Sequence, residues 1–188
     1  MPAEIYNTER FGQLYYASRA PASLNLDLAQ QFITSLLDAS SIDYACMGGW
    51  ALQKRGSTRT TTDVDIVVRA SMETLRTLLI QQTRVCFPQA YGSTSVTIFV
   101  HTGQGWDSDC PHVTPLAVHV DIIVSGNLHT PIDLRGVTEL ISTSHGSVRI
   151  LNTYFQTYTK FGGFMDRGCK AEKDFEDLVF LLSNHWQQ

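Results

Sequence analysis

The sequence predicts a single α+β domain, and three observations predict it. Apolar residues Leu26, Leu28, Phe32, Ile33, Leu36 and Leu37 recur at helical spacing. Short runs rich in Val and Ile, such as Asp63–Val68 and Leu116–Val124, have the length and composition of strands. The 188 residues, 43% of them hydrophobic, suffice for one sizeable core.

The elements follow in order. Residues 1–24 carry Pro21 and no clean period, and read as an N-terminal arm. The periodic stretch from Leu26 to Ala39 is a helix. Asp43–Met47 is a short strand that ends in a Gly48-Gly49 turn, and Trp50–Lys54 opens a helix stopped near Gly56. Asp63–Val68 is a strand. Ser71 caps a helix that runs to about Gln82. Ser95–His101 is a strand. Thr102–Pro115 holds two Gly, two Asp and two Pro, and reads as a loop, either a lid or a disordered insert. Leu116–Val124 and Ser147–Leu151 are strands. Tyr154–Lys160 and Ala171–Asn184 are helical, with Gly162-Gly163 breaking them apart. The chain thus divides into the arm, a core over 25–150, and a C-terminal helical segment over 151–188 packed on that core.

Composition narrows the function classes. The formal net charge is -4, from 14 basic and 18 acidic residues, so there is no broad basic field for general nucleic-acid binding. A modest basic cluster near the end comprises Lys160, Arg167, Lys170 and Lys173. The cysteines Cys46, Cys86, Cys110 and Cys169 show no CxxC pairing, and Cys46 reads as a buried free thiol. The N-terminus lacks the apolar core of a signal peptide, and no apolar run is long enough to span a membrane. A reduced, cytoplasmic setting is the expectation.

The chemistry concentrates in acidic residues set within strand-like runs. Side chains alternate along a strand, so Asp63 and Asp65 share a face. Adjacent carboxylates repel and raise one another's pKa, which a hard cation between them relieves. Asp121 lies in a second Val/Ile run. If the two strands are neighbours, three carboxylates converge in a form suited to metal-assisted attack at phosphorus. An Asp-x-Asp pair alone is an ordinary solvated strand end, but the bland account must explain two unusual strands. Gly48-Gly49 lets a backbone approach phosphate, or is simply a tight strand-to-helix turn. Arg59 could neutralise a triphosphate or pair with a surface acid, and Thr61 offers a hydroxyl while also being an ordinary strand residue.

The string Gly48-Gly49-Trp50-Ala51, then Arg59-x-Thr61-x-Asp63-x-Asp65, then Asp121, resembles the DNA polymerase beta-like nucleotidyltransferase superfamily. The closest likeness is to its minimal members, including the antibiotic nucleotidyltransferases and the antitoxin-type proteins. The motif-bearing likeness covers about residues 43–124. Lys160, Arg167 and Lys173-Asp174-Phe175-Glu176-Asp177 resemble the ending of such proteins. The resemblance implies a mixed sheet flanked by helices. It implies that Asp63, Asp65 and Asp121 bind magnesium, or manganese in its place, and that Asp121 helps deprotonate the acceptor. Gly48, Gly49, Arg59, Thr61, Lys160 and Lys173 would hold a nucleoside triphosphate such as ATP. The acceptor would be a hydroxyl of a small molecule or protein. A Gly-Ser turn is the common family form, so a serine contact to phosphate is missing here. The chain is short for a separate acceptor domain. The arm, the insert, the C-terminal helices or a second subunit in a homodimer would supply acceptor recognition.

Two other readings stay open: a binding or regulatory protein that keeps the fold without turnover, and the same scaffold redirected to another biosynthetic reaction. His119 faces the same side as Asp121, as a ligand, an acid/base group or a hydrogen-bonded neighbour. Trp50 either stacks on a base or packs in the core. Cys110-Pro111-His112 with Asp107 and Asp109 matches no usual zinc spacing. His101, His129, His145 and His185 read as structural or exposed.

Overall fold

A computed structural model of the protein describes residues 2–143, 146–167 and 172–185. His145, Cys169, Lys170 and Ala171 lie outside the described residues, as does the side chain of His185. The described strands are β1 (Glu4–Tyr6), β2 (Tyr44–Met47), β3 (Asp63–Val68), β4 (Val85–Pro88), β5 (Ser95–Thr102), β6 (Leu116–Val124), β7 (Thr138–Thr143) and β8 (Gly146–Leu151). They form one mixed sheet in the order β1-β4-β5-β6-β3-β2-β8-β7. The pairs β1/β4, β3/β6 and β2/β8 are parallel, and the remaining neighbours are antiparallel.

Helices cover both faces. On one face Val64, Ile66 and Val68 of β3 and Val118, Val120 and Ile122 of β6 are buried. They join one apolar cluster with Ala29, Ile33 and Leu37 of α2 (Ser23–Ala39) and with Leu75 and Leu79 of α4 (Met72–Leu79). The Ser71 hydroxyl accepts from the Thr74 amide and caps α4. The opposite face carries two smaller clusters. One gathers Tyr6, Cys86 and Phe99 under Leu14 of α1 (Thr8–Ala17), and the other gathers Ala45, Met47, Val67, Ile123 and Leu151. The acidic residues lie on this face, in a groove floored by β3 and β6 and walled by α5 (Thr153–Arg167) and α6 (Glu172–His185).

Several expectations are corrected. Residues 1–24 are not irregular: β1 pairs with β4, and Asn7 caps α1 by accepting from the Arg10 amide at 2.9 Å. Gly162-Gly163 do not break α5. A Cβ at Gly162 would overlap the His129 ring, so that glycine admits a side chain from the loop after β6. The 102–115 loop is folded, with Arg84 paired to Asp107 at 2.9 Å and Trp106 stacked on His101 at 4.9 Å. None of its residues reaches the groove. Strands β4 and β7 have no counterpart among the predicted elements.

Candidate active site

Register brings the carboxylates together. β3 and β6 run parallel with Asp65 opposite Asp121 and Asp63 opposite His119. All four side chains therefore project from one face of two central strands. Their ligand atoms are close: those of Asp63, His119 and Asp121 lie within 4.8 Å of one another. Asp65 stands just outside that tightest group, against the glycine turn.

The turn is shaped by the site itself. Met47 ends β2 and Gly48 begins α3 (Gly48–Lys54). Gly48 has φ +66°, and a Cβ there would overlap the Asp65 carboxylate. A Cβ at Gly49 would run into Arg59 Nη2 and Thr61 Oγ1. Both glycines are thus required by the close approach of residues in the motif. From α5, the fully buried Gln156 donates to the Gly48 carbonyl at 3.1 Å and fixes the turn.

Electrostatics divide the four acidic-edge groups. Burial pushes Asp65 up to about 8, and the charges of Asp63 and Asp121 add to this, against the opposing pull of Lys160 and His119. Burial also acts upward on Asp121, but His119 and a hydrogen bond from Thr97 Oγ1, at 2.5 Å, outweigh it and hold Asp121 low. His119 Nε2 stands 3.3 Å from Asp121 Oδ1, at an angle outside a hydrogen bond, and is buried with no hydrogen-bond partner. Burial lowers the His119 pKa, yet attraction to Asp121 and the other acids raises it overall. The ring is held between Phe99, stacked at 5.5 Å, and the edge of Tyr15 at 6.0 Å. A set of hard oxygen donors, a carboxylate burdened by like charges and an orphaned ring nitrogen aimed among them together fit a divalent cation.

The cationic wall lies opposite. Arg59 pairs bidentately with Asp177 of α6, at 2.6 and 3.0 Å. Lys160 of α5 reaches Asp177 at 2.8 Å and Asp174 at 3.3 Å. Arg167 lies 3.2 Å from Asp174. Asp174 and Asp177 are 2% and 1% exposed, so they are interior counter-ions that position these cations. Thr61 donates to Asp63 Oδ1 at 2.7 Å and so orients that carboxylate.

One cavity of about 540 Å³ is lined by all nine residues singled out from the sequence: Gly48, Gly49, Arg59, Thr61, Asp63, Asp65, Asp121, Lys160 and Lys173. Trp50 is not among its walls. It is 1% exposed, packs in the core and donates to Asp27 at 2.9 Å. Sequence reasoning missed Gln156, Thr97, Asp166 and the partners of Arg59 and Lys160. It also set His129 aside, whereas His129 lines the cavity and meets Asp166 at 2.8 Å. Only the acidic spacing in the Lys-Asp-x-x-Asp stretch hinted at Asp174 and Asp177.

No family model matches the chain, and no curated protein sequence does. Solved structures do match. An antigenic nucleotidyltransferase-like protein from Paracoccidioides brasiliensis superposes with a TM-score of 0.67 at 20% identity, covering 87% of this chain and 78% of its own. The chain has a nucleotidyltransferase-like fold. The antibiotic-resistance factor ANT(2'')-Ia superposes with a TM-score of 0.56 at 13% identity, covering 86% of this chain and 84% of its own. Among the described residues, no helix is long and apolar enough to cross a membrane.

Proposed function

We propose that the protein is a metal-dependent nucleotidyltransferase that moves a nucleoside monophosphate from a nucleoside triphosphate to an acceptor hydroxyl. The observation that carries this reading is the parallel register of Asp65 with Asp121, which gathers the acids of two strands on one wall of a cavity whose other wall is cationic. Asp63, Asp65 and Asp121 would hold magnesium or manganese, with His119 Nε2 in reach of the same place. When bound, the ion supplies charge neutralisation at the carboxylates and the triphosphate. Gly48 and Gly49 let Asp65, Arg59 and Thr61 close on the turn beside the triphosphate's place, and Arg59, Lys160 and Lys173 face the developing negative charge. The acceptor oxygen attacks the α phosphorus. A new O–P bond forms, the P–O bond to pyrophosphate breaks, and pyrophosphate leaves with the electron pair. The hydroxyl proton passes to the Asp121 carboxylate, which Thr97 and His119 hold in place.

The test is thermal. Magnesium with one of the four nucleoside triphosphates should stabilise the protein by about 2.7 kcal/mol at a hundredfold excess over Kd. Asp63→Ala should abolish that response. Absence of a shift with every triphosphate would sink the transferase reading.

A further inference from the structure

A second cavity, of about 650 Å³, opens on the same face of the sheet, between the start of α1 and the β4–β5 connection. Its volume is in the range of small-molecule sites. Ser95 lines both cavities, so the two adjoin there. Thr97 also lines the second cavity, and its hydroxyl donates to Asp121 at 2.5 Å. A ligand in this space therefore lies one side chain away from the carboxylate cluster.

The two cavities differ in charge. The first is walled by Asp, Arg and Lys side chains, while none of the twelve residues lining the second is charged. Its lining mixes aromatic rings, from Tyr6, Phe11 and Tyr91, with neutral polar side chains. Tyr6 is fixed, with its hydroxyl donating to the Thr97 carbonyl at 2.7 Å and its ring edge-on to Phe99 at 5.7 Å. Tyr91 is 42% exposed and meets Phe87 edge-on at 5.2 Å. Gln89 and Ser95 are among these neutral polar groups, Ser95 at the junction with the first cavity.

We infer that this cleft is the acceptor subsite, and that it takes an uncharged, hydroxyl-bearing small molecule with a flat or aromatic body. The inference rests on the transferase reading for the word acceptor, though not for the binding itself. Flat rings find apolar faces there, and hydroxyls find Gln89 and Ser95. A polycation or polyanion finds no counter-ion, and a charged group moved into this uncharged space would lose hydration without recompense. The geometry also separates the substrates: triphosphate between the acids and the helices, acceptor beneath α1, and Asp121 between them.

The experiment maps backbone amide shifts in the full chain with three probes, each alone: resorcinol, spermine and magnesium–ATP. Resorcinol should move amides of residues 7–11 and 89–97. Spermine should leave those amides unmoved. Magnesium–ATP should move amides of residues 48–61. Ala90→Trp, at an exposed position in the cleft wall, should weaken the resorcinol response about tenfold or more, a loss of about 1.4 kcal/mol. It should leave the magnesium–ATP response intact, which also reports that the variant folds. Tyr91→Ala gives a second variant with the same expected direction. The inference is overturned if resorcinol shifts no residues or only those of the first cavity, if both variants bind it as before, or if spermine moves the same amides equally. Loss of the magnesium–ATP response with an intact resorcinol response would instead remove the transferase reading and leave the cleft as a neutral-ligand site.

Discussion

Asp65 is the residue at which function should cost stability, and Asp65→Asn measures that cost. The wild-type carboxylate is half-buried, faces Asp63 and Asp121, and has its pKa raised by desolvation and these like charges from the ordinary 3.8 to about 8. At about 1.4 kcal/mol per unit, the penalty at neutral pH has a ceiling on the order of 4 kcal/mol. Lys160 and His119 are already counted in that value, and water penetration reduces the penalty further, so we expect Asp65→Asn to gain about 2 kcal/mol in EDTA. In a chain of this length that is a rise in Tm of about 4–8 °C. The sign follows from proton linkage. Between about 4 and 8 the folded state binds more protons than the unfolded one, so wild-type stability falls as pH rises through this window. The gain of the variant should therefore be small near pH 4, grow toward pH 8 and then level off. Calorimetry across that range reads it directly. If Asp65→Asn melts below wild type throughout in EDTA, the carboxylate is not under electrostatic strain, and the argument for a cation at this place loses its physical basis.

Other expectations follow from particular contacts. Gly48→Ala should cost about 1–2 kcal/mol from its left-handed backbone alone, and more from the overlap with Asp65, and should abolish the magnesium–triphosphate shift in melting temperature. Asp177→Ala leaves Arg59 and Lys160 without their interior partner and should cost about 3–5 kcal/mol in denaturant unfolding. Trp50→Phe loses the Asp27 hydrogen bond and leaves a small void. It should lower stability by about 2 kcal/mol while the triphosphate response stays unchanged, since the ring is in the core and not on the nucleotide.

The sequence revealed most where pattern and function coincide. β3 and β6 stand out because Val and Ile surround their acids, and both match the expected limits residue for residue. β4 is four residues long, buried throughout and ends on Pro88, so it offers neither alternation nor length. β7 is an edge strand of half-buried and exposed residues, and Thr-Glu-Leu-Ile-Ser-Thr carries no stripe to detect. Within the site, the acids were visible because a charge in an apolar run demands an explanation. The partners of Arg59 were not, since Asp177 lies 118 residues away and only the folded chain brings it near. The same holds for Gln156 on Gly48, 108 residues apart. The second cavity had no signature at all, because its walls are ordinary neutral residues from two distant segments.

The two walls of the main cavity are charged in complementary ways, and this bears on the order of binding. On the sheet side, Asp63 and Asp121 meet beside His119 and Asp65 stands next to them, so acids outnumber cations on that wall. On the helix side, Arg59 and Lys160 are already matched by the interior Asp174 and Asp177. A bare triphosphate thus meets cations whose charge is partly spent, together with uncompensated acids across the cavity. A bare cation satisfies the sheet wall but leaves the helix wall unchanged. Only the metal–triphosphate pair suits both walls, because each component removes the repulsion that opposes the other. Magnesium and triphosphate together should then raise the melting temperature by more than the sum of their separate shifts. Additive shifts would mean that the walls act independently, and that the paired cations of α5 and α6 serve the fold rather than the nucleotide.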